Sequence, residues 1–106
     1  MNVFELICLI EHRPGMFVGK PSLESLHLFI SGFLFNNLIN DNADELDLKF
    51  KKYFHDWVKK YIESTHKVSL EPNRNYVDYI NYVFPNNEQR IQAFFSLCRI
   101  FFNDEI

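Results

Sequence analysis

The sequence predicts an all-α protein, a compact bundle of about five helices in a single domain over residues 1–106. Apolar residues recur at intervals of three and four along most of the chain, and strict apolar–polar alternation is hard to find anywhere in it. The chain has only three Gly and four Pro, too few for the many turns of an all-β fold. Because 47% of the 106 residues are apolar and 17% are aromatic, a core can form without a metal or a disulfide.

The first predicted helix covers residues 2–11 and must stop before Pro14, which cannot continue a helix. Residues 13–23 follow as a rigid turn between two helices. Pro14 fixes its own φ angle there, while Gly15 and Gly19 accept positive φ angles.

The second predicted helix covers residues 23–39, and Ser22 is positioned to accept a hydrogen bond from one of its first amides. The asparagine-rich run over residues 36–42 marks its end. Spacings of three and four place one set of apolar residues on a single face: Leu23, Leu26, Phe29, Ile30, Phe33, Leu34 and Leu38.

The third predicted helix has the clearest 3.6-residue period, and Asn42 with Glu45 gives its start the spacing of a capping box. Its apolar face consists of Leu46, Phe50, Tyr53, Phe54, Trp57, Val58, Tyr61 and Ile62. Residues 64–75 are polar, contain Pro72 and are predicted to be a loop.

A short fourth helix is predicted over residues 76–83 and is closed by Pro85. Asn86 or Asn87 then caps the last helix. The apolar face of that helix consists of Ile91, Phe94, Phe95, Cys98, Phe101 and Phe102.

Charge and cysteine content indicate a cytoplasmic protein. The net charge of −3 argues against direct binding to nucleic acid, which favours a basic face. Cys8 and Cys98 lie in apolar helical patterns without CxxC spacing, as expected of buried free thiols in a reducing compartment. No signal peptide and no apolar stretch of membrane-spanning length is found in the sequence, so we expect no membrane association.

Nothing in the sequence indicates catalysis, a cofactor or a metal site. The four histidines are scattered, and Glu63 with His66 has a spacing seen in some metal sites but no second such pair. The chain contains no GxSxG, HExxH or GxxxxGK[ST] pattern. We therefore expect a protein that is not an enzyme.

An acidic cluster precedes the lysines of the third helix and is the first candidate for partner binding. It consists of Asp41, Asp44, Glu45 and Asp47. Acidic residues also favour a helix N-terminus through the macrodipole, so the cluster has a structural interpretation as well. If it is exposed, it would attract a basic partner and speed the encounter.

The second candidate surface lies on the fourth helix and consists of Tyr76, Asp78, Tyr79 and Tyr82. Tyrosine is enriched at binding hot spots because it combines a large area with a polar tip. Burial at the edge of the core is the alternative for these rings.

The order of several motifs resembles that of a family of small bacterial proteins. The first motif runs Arg-Pro-Gly-Met-aromatic-aliphatic-Gly over residues 13–19, and it is followed by Ser-Leu-x-x-Leu over residues 22–26 and by Gly32-Phe33. A Phe-x-x-Trp-Val element follows at residues 54–58, and an acidic, Phe-rich helix covers residues 87–102. The first motif also resembles a segment of gyrase-type ATPase domains, but the chain lacks the Asp-x-Gly-x-Gly loop of such domains.

The family to which the resemblance points comprises immunity proteins of bacterial toxin systems, including contact-dependent growth inhibition. The resemblance implies a protein that binds a cognate toxin domain, occludes its active site and so protects the producing cell. The signature residues then hold the fold rather than contact the toxin; they are Arg13, Pro14, Gly15, Met16, Gly19, Ser22 and Trp57.

An acidic inhibitor suits a basic toxin, which favours a nuclease such as a ribonuclease or a DNase as the partner. We expect a monomer before binding and a 1:1 complex afterwards. The alternative is a small helical adaptor or regulatory module without a toxin partner. A neighbouring toxin gene would distinguish the two.

Overall fold

The computed structural model describes residues 1–13 and 22–103. Within them the chain is all-α, with five helices and no strand, as the sequence predicts. The helices are α1 (Val3–His12), α2 (Leu23–Ile39), α3 (Glu45–His66), α4 (Tyr76–Val83) and α5 (Asn87–Asn103). Helices α1, α4 and α5 each pack against both α2 and α3.

The helix starts are fixed by side-chain caps. Ser22 caps α2 through a 3.0 Å hydrogen bond from the Ser25 amide, which confirms the prediction for Ser22. Asn86 caps α5, because its side chain accepts from the Gln89 amide at 2.9 Å. The predicted capping pair of α3, Asn42 with Glu45, is wrong.

The start of α3 lies later because Asn42 still belongs to the turn that ends α2, where its amide donates to the Asn37 carbonyl at 2.8 Å. Asp44 takes the cap instead and accepts from the amides of Leu46 and Asp47. Asn42 thus belongs to the end of α2 and Asp44 to the start of α3. Neither role follows from the spacing of Asn42 and Glu45.

The C-terminal end of α3 also differs from the prediction. Residues 64–66, which were predicted to be loop, form the last turn of α3. The helix ends at His66, and the residue that follows it, Lys67, has a φ of 55° in the left-handed region. Glu63 then fixes the following segment, because its Oε2 atom accepts from the Leu70 amide at 2.9 Å.

The core is aromatic and centres on Phe54, which is fully buried. Its ring lies within 4.5–6.2 Å, between centroids, of five other rings: Phe50, Trp57, Tyr76, Phe94 and Phe101. Trp57 is half-buried and also packs on Tyr61. Cys98 is buried as predicted, whereas Cys8 is only half-buried.

Most of the signature motif, which is predicted to form a turn, lies outside the described residues. This applies to Pro14, Gly15, Met16 and Gly19. Of the flanking signature residues, Arg13 follows the last residue of α1, and its amide donates to the Leu9 carbonyl at 2.9 Å. No helix within the described residues is long and apolar enough to cross a membrane.

Candidate functional site

Asp47, one of the four acidic residues predicted to meet a partner, is fully buried. Its carboxylate accepts hydrogen bonds from the Val3 amide at 2.6 Å, the Asp44 amide at 3.1 Å and the Asn37 side chain at 3.3 Å. A buried carboxylate requires such donors, because its desolvation is otherwise very costly. The prediction of a binding role for Asp47 is therefore wrong: this residue joins α1, α2 and α3.

Asp44 is exposed, but its carboxylate is also engaged by the protein. It caps α3, and its second oxygen accepts from the Asn2 side chain at 2.8 Å. Partial burial raises the pKa of this carboxyl, but hydrogen bonds from Asn2, Asp47 and Leu46 outweigh the burial, so its pKa is lowered overall. Only Asp41 and Glu45 remain as exposed acidic side chains of the cluster outside this network.

The predicted tyrosine surface is also smaller than expected, because Tyr76 and Tyr79 are buried. The Tyr79 hydroxyl donates to the Glu71 carbonyl at 2.7 Å and accepts from the Arg74 amide at 3.1 Å, which organises the segment before α4. The prediction that Tyr76 and Tyr79 contact a partner is therefore wrong. Their neighbour Tyr82 is 67% exposed, and Asp78 is exposed as well.

Asp78 and Tyr82 lie one turn apart on α4 and border a surface depression of about 400 Å³ that also includes Ser69, Leu70, Glu71, Arg74 and Tyr79. We call this depression the acidic tyrosine pocket. Arg74 donates to Glu71 at 2.9 Å, and Asp78 is a second carboxylate in the lining. The pocket combines an exposed phenol ring with an excess of negative charge, which suits a cationic side chain.

Hydrogen bonds among His27, His55 and Tyr76 join α2, α3 and α4 beneath a groove between α2 and α3. We call these three residues the polar ladder. The Nδ1 atom of His27 lies 2.8 Å from the Tyr76 hydroxyl, and the Nδ1 atom of His55 accepts from the Tyr76 amide at 3.0 Å. Burial lowers the pKa of both histidines, while nearby Asp78 partly opposes this effect at His27. Burial raises the pKa of Tyr76, so the ladder is neutral at pH 7 and ties helices together.

No three histidine, cysteine or acidic side chains within residues 1–13 and 22–103 come together in a way that could hold a metal ion. Glu63, one member of the pair with metal-like spacing, accepts from Lys59 at 3.1 Å as well as from the Leu70 amide. These contacts make Glu63 a structural residue.

One surface was missed by the sequence interpretation: the outer side of α2. Leu28 is 70% exposed, Phe35 63%, Ile39 64% and Phe29, which was predicted to face the core, 46%. A Cβ atom added to Gly32, between them, would meet nothing within 4 Å. The sequence contains a sign of this surface, because apolar residues occur on every side of α2. A helix that buries only one face does not need so many of them.

Comparison with known proteins identifies no relative: no family model, no curated protein and no solved structure matches this chain.

Proposed function

We propose that this protein is an immunity protein, which binds and neutralises a cognate bacterial toxin domain by occluding its active site. The proposal combines the motif resemblance with one structural observation, the acidic tyrosine pocket. The toxin domain is a basic nuclease, the complex has one copy of each chain, and inhibition takes place in the cytoplasm, where Cys8 and Cys98 remain reduced. The protein acts by obstruction and has no catalytic activity.

The chemistry of the pocket suits a lysine or arginine of a nuclease. The exposed Tyr82 ring offers its face to a cation, and the Asp78 carboxylate offers a charge-assisted hydrogen bond. Basic side chains that bind phosphate in the free toxin would then be held by carboxylates in the complex. Binding by the immunity protein and binding by nucleic acid would thus exclude each other.

The pocket is the proposed hot spot within a larger interface. A stable complex of this type buries about 800 Å² on each partner, and a few central aromatic or charged residues supply most of the affinity. Tyr82 has the residue type and exposure expected of such an anchor. Among the exposed acidic residues, Asp41 and Glu45 are available to attract a basic partner over a longer range.

The experiment is co-expression with a toxin domain from a neighbouring gene, scored by rescue of growth, followed by binding measurements on the purified pair. We expect Tyr82→Ala to raise Kd about 30-fold, the loss of about 2 kcal/mol that is typical of a hot spot. Asp78→Asn should weaken the salt dependence of the association rate.

Tyr53→Ala is the matched control, because Tyr53 is a 53% exposed tyrosine on α3 outside the pocket. Equal losses for Tyr82→Ala and Tyr53→Ala would reject the pocket as the contact site. Failure of the wild-type protein to rescue growth would reject the immunity function and favour the adaptor alternative.

A further inference from the structure

The polar ladder forms part of the wall of a pocket between α2 and α3. His27, His55 and Tyr76 all line this pocket, which has a volume of about 280 Å³ and otherwise has mainly apolar walls. We call it the α2–α3 pocket. Apolar walls with a few convergent polar groups are typical of a site for a small molecule, so the hydrogen-bonding capacity of these polar groups is decisive.

The hydrogen bond at His55 determines where its imidazole carries a proton. The Nδ1 atom of His55 accepts from the Tyr76 amide at 3.0 Å. A ring nitrogen that accepts an N–H group carries no proton itself, so the neutral ring has its proton on Nε2. His55 therefore has an N–H donor on the nitrogen that the polar ladder does not use.

The same reasoning applies to His27. Tyr76 is only 1% exposed, and its hydroxyl lies 2.8 Å from the Nδ1 atom of His27, which is its only hydrogen-bond partner within the described residues. Burial raises the pKa of Tyr76, so the phenol keeps its proton, and a buried hydroxyl needs an acceptor for that proton. Because the Nδ1 atom of His27 is this acceptor, its Nε2 atom carries the ring proton.

Both Nε2–H groups are available to a ligand. Within residues 1–13 and 22–103 neither has a hydrogen-bond partner, and the only side-chain nitrogen or oxygen that is both buried and unpaired is Oδ1 of Asn81. The Nε2 atoms of His27 and His55 are therefore in contact with solvent, and the α2–α3 pocket is the cavity that both rings line. A charge on His27 would lower the pKa of His55, so the two donors are neighbours.

The charges around the α2–α3 pocket favour an anion. Lys51 lines the pocket, is exposed and has no ion-pair partner within the described residues, among which no Asp or Glu lines the pocket. Asp78 acts to raise the pKa of His27, but burial outweighs this effect and Asp78 is not part of the lining. Two N–H donors and one ammonium group match the two oxygens of a carboxylate.

The apolar walls indicate what the rest of the ligand is. Leu34 and Phe50 are buried, Leu38 is half-buried, and all three line the pocket. A bare anion would leave this apolar surface in water, whereas a compact apolar group would cover it. The volume lies just below the range of about 300–1,000 Å³ that is usual for drug-sized ligands, so the ligand has roughly ten non-hydrogen atoms.

We propose that the α2–α3 pocket binds a small molecule with one carboxylate and a compact apolar body, and that the Nε2–H groups of His27 and His55, together with Lys51, hold the carboxylate. A carboxylate side chain of another protein fits less well, because its short stem would leave the apolar walls uncovered. The proposal does not rest on the proposed function, because the α2–α3 pocket shares no lining residue with the acidic tyrosine pocket and its test needs no toxin.

The first test examines the two donors. A long-range ¹H–¹⁵N spectrum of the full chain at pH 7 reports which nitrogen of each imidazole carries the proton. We expect the Nε2–H form for His27 and His55. Phenylacetate should shift the ring signals of these two residues and leave those of His12 and His66, which lie outside the pocket, unchanged.

The second test measures which parts of the probe are needed. Phenylacetate, which is ionised at pH 7 like other simple carboxylic acids, should bind with a Kd of about 1 mM, as is usual for a ligand of this size. Phenylacetamide keeps the ring but has no charge, and acetate keeps the charge but has no apolar body. Both should bind at least tenfold more weakly than phenylacetate, and so should inorganic phosphate.

Two adjacent lysines of α3 provide matched variants. Lys51→Gln removes the charge at the pocket and should raise the Kd of phenylacetate about fivefold, the size expected for a partly exposed ion pair. Lys52→Gln removes the same charge one position away, where the Lys52 ammonium lies 5.3 Å from the centroid of the Tyr53 ring and outside the pocket. It should change the Kd less than twofold. Both lysines are exposed, so both variants should fold normally, as far-ultraviolet circular dichroism will show.

Each measurement can overturn the proposal. An Nδ1–H form of His27 or His55 would remove a donor from the pocket. No saturable shift of the His27 and His55 signals up to about 20 mM phenylacetate would show that the pocket does not bind this class of ligand. Equal affinity for phenylacetate and phenylacetamide would reduce it to an apolar cavity, and equal affinity for acetate would favour a carboxylate side chain of another protein. Equal effects of Lys51→Gln and Lys52→Gln would place the anion elsewhere.

Discussion

The buried Asp47 carboxylate accepts a 2.6 Å hydrogen bond from the backbone amide of Val3, the first residue of α1. The amide of a first helical residue has no partner within its own helix, so α3 supplies one from a residue 44 positions later. The same carboxylate accepts from Asn37 near the end of α2. One side chain thus connects the start of α1, the end of α2 and the start of α3.

The first prediction concerns this connection. Asp47→Ala should lower the free energy of unfolding by about 3 kcal/mol, because it leaves the Val3 amide and the Asn37 side chain without their buried acceptor. Asp47→Asn keeps one oxygen and should cost about half as much. The measurement is urea denaturation followed by circular dichroism.

Glu45→Gln is the control for this series, because Glu45 lies in the same first turn of α3 but is exposed. Its effect should stay below about 1 kcal/mol, the size of a macrodipole interaction. If Asp47→Ala were as mild as Glu45→Gln, the contacts of Asp47 would not contribute to stability.

The second prediction concerns Gly32, which lies inside α2 with open space beside it. Gly32→Ala should raise the free energy of unfolding by about 0.5–1 kcal/mol, because Ala loses less backbone freedom in a helix and its methyl group meets no atom. The measurement should be made at low protein concentration, so that any self-association does not contribute. A decrease in stability would mean that the backbone at Gly32 needs glycine.

The fold was predictable from sequence because its signals are local. The 3.6-residue apolar period of α3 and the cap at Ser22 each depend on residues within a few positions of one another. The prediction for the cap of α3 was wrong because Asn42 and Asp44 are both suitable capping residues. Asp44 takes the cap because Asn42 is held by the turn after α2. That choice is made by tertiary contacts.

The candidate site was predictable only in part, for the same reason. The fourth helix carries three tyrosines, Tyr76, Tyr79 and Tyr82. The packing of α2, α3 and α5 against α4 decides which of these rings stays exposed. Asp47 is likewise distinguished from exposed Glu45 by the amide of Val3, a distant residue. Asp47 and Glu45 are both acidic residues in the first turn of α3, so the sequence alone predicts the same role for both.

The third prediction compares two adjacent aromatic residues of α3. Phe54→Ala should lower the free energy of unfolding by about 3–5 kcal/mol, because Phe54 is fully buried among other rings and the protein cannot close the cavity. Tyr53→Ala, at a 53% exposed side chain, should change it by less than about 1 kcal/mol. Similar losses in thermal or urea denaturation would contradict the assigned core.

The fourth prediction concerns pH. His27 and His55 have pKa values that burial lowers below the unfolded value of about 6.5. At pH values between their folded pKa values and about 6.5, the unfolded chain therefore binds more protons than the folded chain, and stability rises with pH. The contribution of the two neutral histidines is complete above pH ~6.5 and is lost as the pH falls through their folded pKa values. The free energy of unfolding should decrease from pH 7.5 to about 5.

The histidine variants determine whether this decrease arises in the polar ladder. Replacing His27 and His55 with Gln should remove most of the slope above pH ~5, because the acidic groups with lowered pKa values, such as Asp44, lose their contribution only at lower pH. His12→Gln, at an exposed residue that ends α1, is the matched control for loss of a histidine. A slope that survives unchanged in the His27 and His55 variants would leave the polar ladder without a role in acid sensitivity.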